Sequence, residues 1–304
     1  MTDATLIDSA DSAARLWTDG QPGPVRIGSD RHRTLFSRML LETHNPYKPA
    51  VIDWPQLDPE ARDRLVSLPI WDIAVQTEGK ASQRVKAYAD LIGDPLLKQA
   101  TEMNAAEEAR HKVVLANLVE AYGIKLAPEP PYPPPRYPQW AFMVTGFSEC
   151  IDSFFAFGLF ELAKRSGFFP PALVDTFEPV MQEEGRHITF FVNWVAWYRK
   201  NLPWWRKPLF QAKVVAVWAF LIWERIGIAR DVGKGGDNNF TATGTKDLGI
   251  DVSIAGLMDV CLAENDRRLS GYDPRLLRPR FVPGMVRLAR RFMGTARPAV
   301  TEAA

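Results

Sequence analysis

The sequence predicts an all-α protein: a four-helix bundle with additional helices before and after it. Three observations lead there. Four segments between about residues 69 and 201 carry apolar side chains at helical spacing. A five-residue phrase occurs twice, as Glu107-Glu108-Ala109-Arg110-His111 and Glu183-Glu184-Gly185-Arg186-His187, and in each copy a glutamate and a histidine stand one helical turn apart on one face. A proline-rich stretch divides the four segments into two pairs.

Residues 1–30 are polar, with Gly20, Pro22, Gly23 and Pro24, and read as a loosely held arm. A short helix follows from about Thr34 to Glu42, and His44 to Pro59 holds too many prolines for regular structure. The first bundle helix runs from about Pro69 to Ile92, with Pro69 tolerated in its opening turn. Gly93-Asp94-Pro95 makes a tight turn, and the second helix runs from about Pro95 to Tyr122, stopping at Gly123. The third covers about Gln139 to Arg165, Gly167 to Pro171 turns the chain, and the fourth covers about Ala172 to Asn201. A Trp-rich helix (about Trp204 to Asp231), a Gly-rich loop (Gly233 to Gly244), a helix from about Lys246 to Ser270 and a basic tail complete the chain. The regions expected are thus an N-terminal arm and irregular segment (1–60), the bundle (61–201) and a helical extension packed on it (202–304).

Ala127 to Pro138 contains seven prolines in twelve residues. An interdomain linker or a partner-binding proline motif is one reading. The favoured one is geometric. If each helix pair is an antiparallel hairpin and the second and third helices run parallel, the chain must cross the whole bundle between them. Twelve residues of polyproline II reach about 37 Å, which matches the roughly 39 Å of a 26-residue helix.

Among 304 residues, 37 basic and 36 acidic side chains nearly cancel, so no global field points to nucleic acid. Two cysteines, Cys150 and Cys261, are too few for a disulfide framework and fit a reducing compartment. The acidic N-terminus lacks an apolar signal region, and the ten-residue apolar run Val214 to Trp223 falls short of the roughly 20 residues that span a membrane. A soluble, cytoplasmic protein is expected. The tryptophans from Trp194 to Trp223 read mostly as core, with a peripheral membrane or partner-docking face as the alternative. The arginines of Arg275 to Arg291 read as an amphipathic surface helix. Gly233-Lys-Gly-Gly236 lacks the spacing of a phosphate loop.

Glu78 falls inside an apolar stripe on the first helix, Glu108 and His111 on the second, Glu184 and His187 on the fourth. Burying such groups alone is costly, and a shared cation offsets the cost. The third helix is apolar nearly all round and offers Glu149, Asp152 and Glu161. Glu78 lies 30 residues before Glu108 and Glu149 lies 35 before Glu184, which favours Glu149 at matching depth; Asp152 is the other contender, and Glu161 sits near the rim. The expected set is Glu78, Glu108, His111, Glu149, Glu184 and His187, a mix of hard oxygen and imidazole donors suited to iron or manganese. His32 and His44 lack a Glu-x-x-His context and read as structural; Cys150 reads as a small buried side chain.

This pattern resembles the ferritin-like dinuclear iron carboxylate superfamily across about residues 69–201, and the doubled Glu-Glu-x-Arg-His looks like its O2-activating oxygenase and oxidase branch. The resemblance implies that Glu78, Glu108 and His111 hold one iron and Glu149, Glu184 and His187 the other, with one or two glutamates bridging. It implies that Glu107, Arg110, Glu183 and Arg186 orient the histidine N–H groups and ligand carboxylates, and that Ser153 relays protons. The pair would be Fe/Fe or Mn/Fe, and the reaction an O2-dependent hydroxylation, N-oxygenation or desaturation of a small apolar or aromatic substrate, with Phe154, Phe155, Phe157 and Phe160 as candidate pocket walls. With no Cys-x-x-Cys pair or flavin fingerprint, an external electron donor, a ferredoxin or flavin reductase, is implied. A homodimer stays open. Two alternatives remain: a ferritin-type ferroxidase, against which the long extensions speak, and a ligand-binding oxidase related to the ribonucleotide reductase small subunit, whose radical-forming version would place tyrosine where Leu115 stands.

Overall fold

A computed structural model describes residues 4–46, 54–68, 70–235 and 253–293. Among them lie ten α-helices and no strand: α1 (Ala4–Arg15), α2 (Asp30–Glu42), α3 (Pro59–Ser67), α4 (Trp71–Ala89), α5 (Pro95–Tyr122), α6 (Pro138–Ser166), α7 (Pro171–Asn201), α8 (Lys207–Gly235), α9 (Ile254–Ser270) and α10 (Phe281–Arg290). Helices α4 to α7 pack on one another, and α2 lies across α5 and α7. Tyr88, Phe142, Phe191 and Trp194 form the aromatic centre of the core, with Tyr88 stacked on Phe142 at 4.6 Å.

Local chemistry explains the long helices. Asp94 caps α5 by accepting from the Leu97 amide at 2.8 Å, and Gly123 ends it in the left-handed conformation at φ 67°. Helix α6 is long and apolar enough to cross a membrane, but two-thirds of its most apolar window (67%) is buried against its neighbours. The helix expected from Pro69 to Ile92 spans only Trp71–Ala89; Pro69 itself, the segment 236–252 with most of the Gly-rich loop, and the predicted start at Lys246 lie outside the described residues.

The proline-rich stretch runs back along α4. Ala127 donates its amide to Asp72 near the start of α4 at 2.8 Å, and Tyr132 lies so close to Gly79 that a Cβ there would meet its ring at 2.8 Å. Tyr88, near the end of α4, then stacks on Phe142 in the second turn of α6. The crossover therefore retraces the helix pair, so α5 and α6 begin at the same end and run parallel. Neither the linker nor the partner-motif reading is needed.

The N-terminal arm is not loose. It includes α1, and residues beyond it are held by the C-terminal segment: Trp17 donates to Gly271 O at 3.0 Å, and Arg275 donates to the carbonyls of Asp19, Gln21 and Gly23. A Cβ on Gly271 would meet Arg15 O at 2.1 Å, so the strap closes only over glycine. Sequence periodicity cannot reveal this, because the partners stand some 250 residues apart. The short helix α3 falls between the expected irregular segment ending at Pro59 and the first expected bundle helix; Asp58 caps it and Pro59 opens it.

Candidate metal centre

Two groups of donors converge in the middle of the packed helices. Glu78, Glu108, His111 and Glu184 form one; Glu108, Glu149 and His187 form the other, and in each the donor atoms lie within 4.8 Å of one another. Glu108 belongs to both. All six side chains expected from the sequence are thus brought together, from α4, α5, α6 and α7, but the division differs from the expected one: Glu184 joins His111 rather than His187, with Nδ1–Oε1 3.2 Å, and Glu108 approaches His187 Nδ1 at 2.7 Å. Asp152, the other contender on α6, turns outward to Ser148 and Arg225. Glu161 pairs with Arg165 at 2.7 Å.

The chemistry of these atoms calls for a cation. His111 Nδ1, His187 Nδ1, Glu108 Oε1 and Glu149 Oε1 are buried and make no hydrogen bond. Unpaired buried acceptors cost free energy, and His187 Nδ1 and Glu108 Oε1, 2.7 Å apart, satisfy each other only with a proton or a cation between them. Six carboxylates (the four ligand candidates with Glu107 and Glu183) set against the guanidiniums of Arg110 and Arg186 leave four formal negative charges, which two divalent cations would cancel. In a metal-free protein, protonation would offset the same charge. Burial pushes the Glu78 carboxyl up to about 8, with Glu108 adding repulsion, and burial with Glu108 and Glu184 pushes Glu149 well up. Burial would lower His111, but Glu183, Glu184 and Glu78 hold it well above its ordinary range; Glu108 and Glu107 do the same for His187. A metal ion would displace those protons.

Around this centre the two five-residue phrases exchange partners. Glu107 of the first accepts from His187 Nε2 at 2.7 Å and Arg186 Nη1 at 2.8 Å of the second. Glu183 of the second accepts from His111 Nε2 at 2.8 Å and from Arg110 of the first. Each carboxylate so fixes an imidazole with Nδ1 toward the donor cluster. Ser153 donates to Glu184 Oε2 at 3.1 Å.

Sequence reasoning missed the contribution of α2. Arg186, fully buried, donates to Thr43 Oγ1 at 2.6 Å and to Leu40 O, Arg110 donates to Asn45 O at 2.9 Å, and His44 Nδ1 lies 2.6 Å from Glu107 Oε1. His44 therefore belongs to the network around the site, whereas His32 is structural, bonded to Asn193 at 2.9 Å. The buried cations of the two phrases implied further acceptors, but no local pattern says which segment brings them.

A cavity of ≈ 320 Å³ opens on the carboxylate side and reaches Glu78, Glu108, Glu149, Ser153 and Glu184; neither histidine lines it. Its outer wall includes Lys80 and Arg84, which also line a neighbouring cavity of ≈ 350 Å³ with Tyr132, Trp140 and Phe220. The phenylalanines expected as pocket walls line neither: Phe154 and Phe157 are core, and Phe155 packs beside them, because this face of α6 meets α9 rather than the site. No protein-family model, curated protein or solved structure matches the chain.

Proposed function

We propose that the chain is a ferritin-like, non-haem diiron oxidase or oxygenase that uses O2 to hydroxylate, N-oxygenate or desaturate a small organic substrate. One observation supports this above the rest: two carboxylate–imidazole groups sharing Glu108 lie at the floor of a cavity that reaches their carboxylate side. A pure storage site needs no such chamber beside its donors. An Fe/Fe or Mn/Fe pair held there would supply the activation of O2 and the oxidation of the substrate.

The residues divide the work as follows. Glu78, His111 and Glu184 would hold one ion and Glu149 with His187 the other, with Glu108 common to both groups. Glu107 and Glu183 fix the imidazole tautomers; Arg186 keeps Glu107 ionised, and Arg110 holds Glu183 in place. Ser153 carries a hydroxyl proton on the cavity side, 3.1 Å from Glu184, where it can pass a proton between ligand carboxylate and cavity. Cavity walls such as Ala81, Val144 and Met181 favour an apolar substrate body, while Lys80 and Arg84 favour a polar or anionic end. A ferredoxin or flavin reductase supplies electrons, and two unpaired buried cysteines suit a cytoplasmic setting.

Purified protein should bind about two ions per chain. Glu108→Ala should remove both, since both groups use it, and His187→Ala at least one. Unchanged metal content in both variants would contradict the assignment. Exposing the reduced protein to O2 separates enzyme from iron store: consumption of O2 coupled to product formation supports the proposal, and growth of a mineral core overturns it.

A further inference from the structure

Between Lys207 and Ile226, helix α8 buries one face and leaves the other bare. Phe210, Val217 and Leu221 are within the core, while Leu209, Val215, Ile222, Trp223 and Ile226 are exposed, Trp223 by 70%. With the exposed Ala212, Ala216 and Ala219 between them, exposed apolar positions recur every three or four residues, so they form one apolar stripe about 25 Å long at 1.5 Å per residue. Trp204 and Trp205, 81% and 51% exposed, extend it at the N-terminal end. Helix α10 continues the surface: Trp218 and Phe281 rings lie 4.5 Å apart, and Phe281, Met285 and Phe292 are exposed. A contiguous apolar patch of this size marks an interaction surface.

Charge says what covers it. Residues 199–213 hold five basic side chains and no acidic one, and residues 280–291 hold four arginines and no acidic one. Arg287 and Arg290 are paired with Asp266 and Asp259. Arg199, Lys200, Arg206, Lys207, Arg280 and Arg291 have no ion-pair partner among the described residues, and Arg206 lies over the exposed Trp205 ring at 4.6 Å. Tryptophan bordered by unpaired lysine and arginine is the composition of a membrane–water boundary, where rings sit at headgroup level and cations reach the phosphates. A second copy docked head to head on the same corner would bring Arg199, Lys200, Arg206 and Lys207 toward their equivalents, and residues 199–213 offer no carboxylate to pair with them.

We infer that the α8–α10 face docks the protein on an anionic phospholipid surface, with α8 lying in the plane of the interface. This goes beyond the proposed oxidation and does not rest on it. The face borders the second cavity, since Phe220, which lines it, lies 6.3 Å from the Trp223 ring; that cavity shares Lys80, Arg84 and Val144 with the one beside the candidate metal centre.

The test is flotation of the full chain with vesicles of phosphatidylcholine alone or mixed with phosphatidylglycerol. Binding to the mixed vesicles should be at least about tenfold tighter and fall at high salt. Arg206→Glu with Lys207→Glu should abolish that preference. Brominated lipid chains should quench the tryptophan fluorescence, and Trp204→Ser with Trp223→Ser should remove most of that quenching while helicity and metal content stay unchanged. Equal partition into both vesicle types, or unquenched tryptophans, overturns the inference. A stable dimer that protects Trp204 and Trp223 and leaves vesicles unbound overturns it in favour of a second copy.

Discussion

The two Glu-Glu-x-Arg-His phrases have the same chemistry and unequal surroundings. Glu107 receives His187, Arg186 and His44, whereas Glu183 receives His111 and Arg110. Arg186 is fully enclosed, and the Arg110 side chain keeps 15% of its surface in solvent. The donor groups differ too, four side chains in the group that holds His111 against three in the group that holds His187. The cause is α2, whose last turn and following residues close over Glu107 and Arg186. A repeated motif thus becomes asymmetric when a fifth element covers one copy more deeply than the other.

Removing the two carboxylates should expose that asymmetry most strongly. Glu107→Ala strands an enclosed guanidinium and imidazole and should cost about 3–5 kcal/mol in urea unfolding. Glu183→Ala, whose arginine can reach water, should cost about 1–3 kcal/mol. Equal losses would mean that α2 adds nothing. Next is metal content: Glu149→Gln leaves only two donors in the smaller group and should reduce binding from about two ions to about one, while Glu78→Gln leaves three donors around His111 and should retain both ions with weaker affinity. Metal analysis after dialysis decides it, and identical stoichiometry in the two variants would erase the distinction.

The pH response should follow. Without metal, the folded state holds protons on Glu78, raised to about 8 from the ordinary 4.5, and on His111 and His187, both raised. Between about pH 5 and pH 8 it therefore binds more protons than the unfolded chain, so stability should fall as pH rises. Glu107 and Glu184, both lowered, have already made their contribution at the acid end of that window. Metal replaces the protons and should flatten the curve; a metal-free protein whose urea midpoint rises with pH would refute this account. The smallest effect belongs to Thr43→Val, which removes the acceptor of Arg186 Nε and should cost about 1–2 kcal/mol, with the His111 half unaffected as judged by the metal content of that group.

Much of this was legible beforehand because its signals are local. Helix α5 follows from its apolar stripe, Asp94 and Gly123, and the depth of Glu149 against Asp152 follows from counting residues along a hairpin. The exposure of Trp204, Trp205 and Trp223 was only the lesser reading: a Trp-rich helical stretch reads mostly as core in sequence, and only the packing of its neighbours leaves these rings at the surface. The same holds for Phe154 and Phe157, whose face of α6 is taken by α9.

By itself, the sequence determined which side chains could serve as donors and that each Glu-x-x-His would share a helix face, since a period of 3.6 residues is a property of the backbone. Tertiary structure alone decided that Glu107 serves His187 and Glu183 serves His111, that Glu108 stands between both groups, and that α2 seals one side. Those outcomes depend on distances between segments remote in the chain, which packing sets and no local periodicity encodes.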